Sequence, residues 1–511
     1  MFSITIISAL FASHLYPITA LDVPASLPAQ VTVNLNQRYQ TIDGFGFSQA
    51  FQRAAWLHGK LGLPPAQQRA VLDLLFDRAA GAGATILRNG IGSSASYDRD
   101  FMKSIAPTSP GSPDAEPDYV WDGYDADQVW LTKEALSYGG GESGLKYIYA
   151  DAWSAPGYMK TNGDDSNGGH LCGLTTSSCC GSGDWREAYA RYLVQFLRFY
   201  REREGIEITH LGWLNEPDLN QTYASMLSDG FQARDFARIL HRTMRDEGFS
   251  HVRLVCCEAT GWTQGAAILA ELQAQLNEAD GDGDAAFFDV YSAHAYSADP
   301  NRPLQTTRKV WQTEWADLDG RWNSAWDNLG KAGEGIGWAN KIQESLVFGN
   351  VSAWLYWIGA EPTPTNSALI QLPIQQSNGS GATYSVSGRF WAFAQFSRFV
   401  RPGAVRVDTE TDRGFLGTSA FLLDDIGAES GDGRTISVQM VNNGHVDLNV
   451  RVVVEGGDGN SSSSSPEIWL TNNDNNLTRV SSITQTLGNS RSPSSEYAVL
   501  VPKRSMVTLR L

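Results

Sequence analysis

Residues 184–217 read DWREAYARYLVQFLRFYREREGIEITHLGWLNEP. The stretch up to Gly205 carries apolar side chains at helical spacing and stops on glycine; after a short link, His210–Asn215 (HLGWLN) is an apolar run that ends in polar residues. A helix feeding a short apolar strand is the repeating unit of a parallel sheet. The same alternation continues in both directions. Upstream, Ile42–Phe47 (IDGFGF), Ala84–Ile91 (ATILRNGI) and Lys146–Ala152 (KYIYADA) are strand-like, and PPAQQRAVLDLLFDRAAG at 64–81 is a helix opened by proline and closed by glycine. Downstream lie Arg253–Glu258 (RLVCCE), Phe287–Ala295 (FFDVYSAHA), Lys309–Glu314 (KVWQTE) and Val351–Trp357 (VSAWLYW). These eight units predict an α/β fold, a closed (β/α)8 TIM barrel.

Beyond Arg401-Pro402-Gly403 the helical stretches stop. TISVQMVNN (435–443), HVDLNVRVVVEG (445–456), EIWLT (467–471), YAVLVP (497–502) and SMVTLRL (505–511) alternate apolar and polar residues between Gly, Ser, Asn and Asp clusters, the texture of an antiparallel β-sandwich. VTVNLNQRYQ (31–40) shares that alternation, and the serine run at 461–465 reads as a loop. The expected organisation is therefore a leader (1–20), an N-terminal segment contributing to the β side domain (21–40), the barrel (41–401) and the side domain (402–511).

The 511 residues hold 39 Lys+Arg against 56 Asp+Glu, a net charge of −17, which argues against a nucleic-acid partner. With 42% apolar and 19% charged residues the chain is a folded globular one, and its 16 Trp and 18 Tyr suit neutral, flat-faced ligands such as sugars. The apolar stretch Phe2–Phe11, followed by a small residue at Ala20, reads as a secretory signal peptide, although it lacks the usual basic start. No other segment offers the roughly 20 apolar residues of a membrane helix. The expectation is a secreted, extracellular monomer with no membrane partner. Sequons at Asn220, Asn350, Asn378, Asn460 and Asn476 fit export.

The cysteines are Cys172, Cys179, Cys180, Cys256 and Cys257, an odd number, so at least one is free or pairs between chains. Cys172 is placed to close a short loop onto Cys179 or Cys180. His170 stands beside them, but the spacing matches no zinc ligand pattern, and a loop staple accounts for the same residues.

In a (β/α)8 barrel the chemistry sits at the C-terminal strand ends. The fourth strand finishes Trp213-Leu-Asn-Glu-Pro217 and the seventh Trp311-Gln-Thr-Glu-Trp315, so Glu216 and Glu314 are expected to face each other across the mouth. One carboxylic acid to protonate a leaving oxygen and one carboxylate to attack is what glycoside hydrolysis requires. Glu216 is read as the acid/base, kept protonated by the apolar wall of Trp213 and Pro217, with Asn215 holding a sugar 2-hydroxyl. Glu314 is read as the nucleophile, kept ionised by Arg88. A carboxyl separation of about 5–5.5 Å implies retention. The chemistry needs no cofactor and no metal. A non-catalytic sugar-binding protein is the competing class, but it has no need of both glutamates.

Gln40-Thr-Ile-Asp-Gly-Phe-Gly46, Leu87-Arg-Asn-Gly-Ile-Gly-Ser-Ser94, Asp151-Ala-Trp-Ser-Ala-Pro-Gly-Tyr-Met-Lys160 and the two glutamate motifs together resemble glycoside hydrolase family 30, with greatest similarity to its fungal xylanase and glucuronoxylanase branch. The resemblance implies the same roles for Glu216 and Glu314, a side domain packed on the barrel, and xylan, a plant cell-wall polysaccharide, as substrate. Glucuronoxylan cleaved internally is the first expectation; release of short xylo-oligosaccharides from one chain end, or cleavage of β-1,6-glucan or galactan, are the alternatives. Many family members have Gly-Gly-Ser or Gly-Ala-Ser after Asp-Gly-Phe, where this chain has Gly46-Phe47-Ser48-Gln49, a change expected in the floor beneath the sugar.

Trp153, Trp357 and Tyr296 end strands and are expected to form aromatic walls that stack on sugar rings, while His294 on the sixth strand is a hydrogen-bond partner for Glu314. Trp262, Trp315, Trp322 and Trp326 are further subsite candidates, the last two alternatively helix core. A glucuronate carboxylate would need a bidentate cation; Arg53, after the first strand, is the first candidate and Arg321 the second.

Overall fold

The structure, a computed structural model, describes residues 28–60, 63–98, 102–139, 144–174, 180–274, 287–373, 383–424, 434–456, 466–480 and 495–511. The leader expected at 1–20, Cys179, the sequons at Asn378 and Asn460, and the serine run at 461–465 lie outside the described residues.

After β1 (Ala29–Thr41), the barrel is built from β2 (Gly44–Ser48), β3 (Ile86–Ile91), β4 (Tyr147–Ala152), β5 (His210–Gly212), β6 (Arg253–Ala259), β7 (Val290–Ala293), β8 (Lys309–Gln312) and, beyond the short β9 (Asp317–Arg321), β10 (Ala353–Glu361). Neighbouring strands run parallel in sequence order from β2 to β8, and β10 pairs with both β2 and β8, closing the ring. All eight expected barrel strands form. The fourth and seventh stop at Gly212 and Gln312, so Asn215, Glu216 and Glu314 sit just past the strands, on the rim, where backbone direction is no longer set by the ladder. β9 pairs with β11 (Thr365–Asn366), and β12 (Ala368–Gln371) and β13 (Ser385–Val386) extend the sheet beside β10.

Helices 65–76, 128–137, 186–204, 230–246, 262–273, 335–347 and 388–399 pack outside the ring. Helix 186–204 shows why: Tyr189, Tyr192, Leu193, Phe196 and Tyr200 recur at helical spacing and are buried, and Gly205 ends the helix at φ 68, in the left-handed region open to glycine. The segment 294–308, between β7 and β8, holds no helix. Inside the ring, Gly46 is obligatory: a Cβ there would lie 2.2 Å from the carbonyl oxygen of Ile86.

The side domain is one nine-stranded sheet made of β14 (Val405–Thr411), β15 (Leu416–Asp424), β16 (Arg434–Asn442), β17 (Leu448–Glu455), β18 (Glu467–Thr471), β19 (Thr478–Val480), β20 (Ser495–Val501), β21 (Ser505–Arg510) and β1, in the order β19-β18-β21-β16-β15-β14-β1-β17-β20. β1 lies inside it, antiparallel to β14 and parallel to β17. Six strand spacings, on the order of 29 Å, separate β20 from β21 along this order, yet only residues 502–504 join them, a reach of about 14 Å. The sheet must therefore curl over on itself as a sandwich, burying Val33, Val438, Val452, Val499 and Leu509 between its halves. It is tied to the barrel by Trp326 donating to the Arg504 carbonyl at 2.9 Å, by Arg504 on Asp327 at 2.8 Å and by Gln395 on Thr508 at 3.0 Å.

Candidate active site

The rim brings together Arg88, Asp151, Asn215, Glu216, Glu258, His294 and Glu314, delivered by β3 to β8 and all buried. Arg88 is the hub. One guanidinium nitrogen reaches Glu314 Oε2 at 2.5 Å; the other reaches Asp151 Oδ2 and Asn215 Oδ1 at 2.7 Å and Glu258 Oε2 at 2.9 Å. A planar fork spreads its donors over two terminal nitrogens pointing to opposite sides of the cluster, a geometry that the single nitrogen of a lysine does not offer.

Glu314 accepts from Arg88 on Oε2 and from the Tyr296 hydroxyl on Oε1 at 2.9 Å. Glu216 accepts from Tyr223 on Oε2 at 2.8 Å and faces His294 Nδ1 with Oε1 at 3.2 Å. Both glutamates are thus surrounded by donors. A carboxylate oxygen of Glu216, a ring nitrogen of His294 and a carboxylate oxygen of Glu314 lie within 4.8 Å of one another. These are the only described residues whose ligand atoms converge so closely, yet they do not suit a metal ion, because Arg88 already holds Glu314 and both His294 nitrogens face carboxylates.

The electrostatics follow from burial and contact. Burial raises the Glu314 carboxyl above its ordinary range, aided by the Glu216 charge and opposed by His294 and Arg88. Burial acts the same way on Glu216, but the hydrogen bonds from His294 and Tyr223 outweigh it and leave that group below its ordinary value. Glu258 is held at about 2, since Arg88 and His294 overcome its burial. His294, which burial alone would lower, is pushed up to about 10 by Glu314, Glu216 and Glu258.

The expected protonating wall for Glu216 does not form. Trp213 points outward, stacked on Phe288 at 5.8 Å and tilted against Phe236 at 6.0 Å, so it lies in the layer between barrel and helices, and Glu216 meets polar donors instead. His294 contacts Glu314 more loosely, at 3.7 Å, than Glu216 or Glu258. Trp153 is only 2% exposed, with the Arg88 guanidinium 4.4 Å above its ring and Phe51 against it edge-on, so it offers no open face to a sugar. Trp357 is only partly buried beside it, and Tyr296 meets Glu314 through its hydroxyl. Gln49 does not floor the cleft; its amide bridges β2 to β10 through both backbone groups of Ala360. Trp262, Trp315 and Trp326 are core residues, and Trp322 lies under Arg389.

Arg53 pairs with Glu361 at 3.2 Å, stacks on Trp56 at 4.6 Å and donates to the Phe51 carbonyl at 2.6 Å; the Phe51 ring in turn touches Trp153 and Trp357. Arg321 lies on β9, exposed. Cys172 pairs with Cys180, and Cys256 with its neighbour Cys257 immediately before Glu258. Sequence reading passed over that second bridge, and also over Glu258, Asp151 and Tyr223. The strand-end rule applied to RLVCCE would have found Glu258. Glu216 and Glu258 share an unusual backbone: both lie in the left-handed region, at φ 48 and 57, and the Glu216 N–H donates to the Glu258 carbonyl at 2.8 Å. Such conformations persist where surrounding contacts impose them, as here at the rim.

A closed parallel barrel with two convergent rim glutamates defines a glycoside hydrolase. The model describing glycosyl hydrolase family 59 matches residues 61–398. The catalytic domain of a GH30 xylanase C from Talaromyces cellulolyticus is 38% identical and superimposes with a TM-score of 0.79 over 94% of this chain and 99% of that one. The family 59 model covers the barrel, whereas the family 30 relative accounts for barrel and side domain together: the chain belongs to glycoside hydrolase family 30. More distant likenesses are a Bacillus subtilis glucuronoxylanase XynC, 23% identical over 68% of this chain and 70% of that protein, and an Aspergillus fumigatus endo-1,6-β-D-glucanase, 24% identical over 63% and 64%.

Proposed function

We propose that the protein hydrolyses the β-1,4-xylosidic bonds of xylan with retention, Glu314 acting as nucleophile and Glu216 as acid/base. The observation carrying the substrate is the 38% identity to a family 30 xylanase across nearly the whole chain. The observation supporting retention is the proximity of the two carboxylates, each of which brings an oxygen within 4.8 Å of the other, in keeping with the closely spaced pair of a retaining enzyme. Glu314 attacks the anomeric carbon, Glu216 delivers a proton to the leaving oxygen, and water then releases the sugar with Glu216 as base. Asn215, its carbonyl committed to Arg88, has its amide NH2 left to donate to the sugar 2-hydroxyl.

Product analysis on glucuronoxylan, arabinoxylan, linear xylo-oligosaccharides and β-1,6-glucan tests the substrate; release from β-1,6-glucan alone sinks the xylan reading. For the roles, Glu314→Gln abolishes turnover, and Glu216→Ala is rescued by azide on an activated aryl xyloside. Arg53 serves glucuronate: Arg53→Gln lowers kcat/KM on glucuronoxylan by about tenfold or more, the weight of one charged hydrogen bond, and spares unsubstituted xylo-oligosaccharides. Equal loss on both removes Arg53 from that role. The apolar leader and two disulfides support export into an oxidising compartment; N-terminal sequencing of protein from culture medium should begin just after Ala20.

A further inference from the structure

Hydrolysis by Glu314 and Glu216 uses two carboxylates, but the site buries two more acids and a histidine. His294 is fully enclosed, with Nδ1 3.2 Å from Glu216 and Nε2 3.0 Å from Glu258. A neutral imidazole has one N–H to donate, so a ring that meets an ionised carboxylate at each nitrogen is satisfied only when both nitrogens are protonated. Glu258 is firmly held opposite the ring, since its other oxygen accepts from Tyr149 at 3.0 Å, Arg88 holds the oxygen that faces His294, and its backbone N–H donates to Ser292. Glu216, meanwhile, accepts from Tyr223 on one oxygen and meets His294 Nδ1 with the other, so a single proton is shared across that contact.

We propose that His294, clamped as an imidazolium by Glu258, is the store from which Glu216 draws the proton it gives to the leaving oxygen. This rests on the assignment of Glu216 as acid/base. In the first step the Glu314–carbon bond forms, the bond to the leaving oxygen breaks, and that oxygen receives the proton that passes from His294 Nδ1 to Glu216; Glu216 ends ionised and His294 neutral. In the second step water attacks, the ester to Glu314 breaks, and the water proton returns through Glu216 to His294. Loss and recovery of the Glu314 charge drives the transfer each way, since that anion, 3.7 Å from Nε2, is one of the three that sustain the imidazolium. Asp151, Arg88 and Tyr296 are the remaining ionisable groups around the ring and stay in place throughout. Glu258 is then a positioning residue, acting through His294.

The test is the pH profile of Glu258→Gln. Removing that anion makes His294 release its proton more easily, so the basic limb of kcat/KM for an alkyl or xylosyl leaving group moves to lower pH by about 1–3 pH units. A dinitrophenyl xyloside, which leaves without a proton, shows no such displacement of its basic limb and loses less rate than the alkyl substrate. An unmoved limb, or an equal loss on both substrates, overturns the proposal and leaves Glu258 a purely structural acid. Independently of any variant, 15N-histidine NMR of the wild-type protein should show His294, identified by its absence in His294→Gln, protonated at both nitrogens at neutral pH; a single N–H overturns the proposal as well. Glu216→Ala run beside these separates the two levels. If azide rescues it while the Glu258→Gln limb stays put, only the proton store fails; if Glu216→Ala keeps full activity, the acid/base assignment itself fails.

Discussion

Replacing Arg88 by methionine keeps an unbranched, apolar stem and removes the guanidinium. The guanidinium is fully buried and touches Glu314, Asp151, Glu258 and Asn215 within 2.5–2.9 Å. Withdrawing one partner from a buried charged cluster costs about 3–5 kcal/mol, because the remaining charges are stranded out of water. Arg88→Met should lose that much stability in urea unfolding near neutral pH. It should also alter the chemistry in a defined direction. Arg88 lowers the pKa of Glu314 against its burial, so its removal raises that carboxyl further, and activity that needs ionised Glu314 is lost at a higher pH as the solution is acidified. The displacement of the acid limb of kcat/KM is about 1–3 pH units, the effect of removing an opposite charge at contact. Arg88→Lys separates the two effects: it loses the fork and most of the stability but keeps the charge, and its acid limb should stay near that of the wild type. A stability loss under about 1 kcal/mol, the range of an exposed ion pair, would refute the picture of a shared buried cation, and an unmoved acid limb in folded Arg88→Met would show that Arg88 does not govern the nucleophile.

Tyr223→Phe removes a donor to Glu216, so transition-state stabilisation falls by about 1.5–3 kcal/mol and Glu216 becomes more basic; kcat/KM against pH reads both, and an unchanged profile excludes Tyr223 from the site. Stability itself should depend on pH on both sides. Glu258, depressed from 4.5 to about 2 in the fold, contributes stability that is complete above about 4.5 and lost as pH falls through about 2. His294, raised from 6.5 to about 10, contributes stability complete below 6.5 and lost as pH rises through about 10, so the urea midpoint is highest between the two, and His294→Gln flattens the alkaline side. Gly46→Ala drives a methyl into the Ile86 backbone and should lower stability by about 1–3 kcal/mol or more, read as a fall in Tm with unfolding still cooperative.

The barrel was legible because its strands are buried on both faces and read as short, mostly apolar runs, and because glycine and proline mark helices between them. Glu216 and Glu314 were legible for a related reason: polar residues at the ends of such runs have the rim as their only place. What the pattern could not supply is rotation at the rim. Trp153 and Trp213 end strands in the same way, yet one turns inward under Arg88 and the other outward onto Phe288. The left-handed turns at Glu216 and Glu258 re-aim side chains just where strand periodicity stops. Glu258 stood at the end of its run as plainly as Glu216 did, but hydrolysis calls for two carboxylates and the reading stopped at two. Charge balance explains why there are more. Arg88 keeps Glu314 oriented only if its other nitrogen is satisfied, and Asp151, Asn215 and Glu258 do this; His294 stays charged beside Glu216 only if a second anion meets its far nitrogen, and Glu258 does that too. A buried reacting pair therefore requires a surrounding set of buried charges, and the net −17 of the whole chain, spread largely over its surface, carries no trace of it.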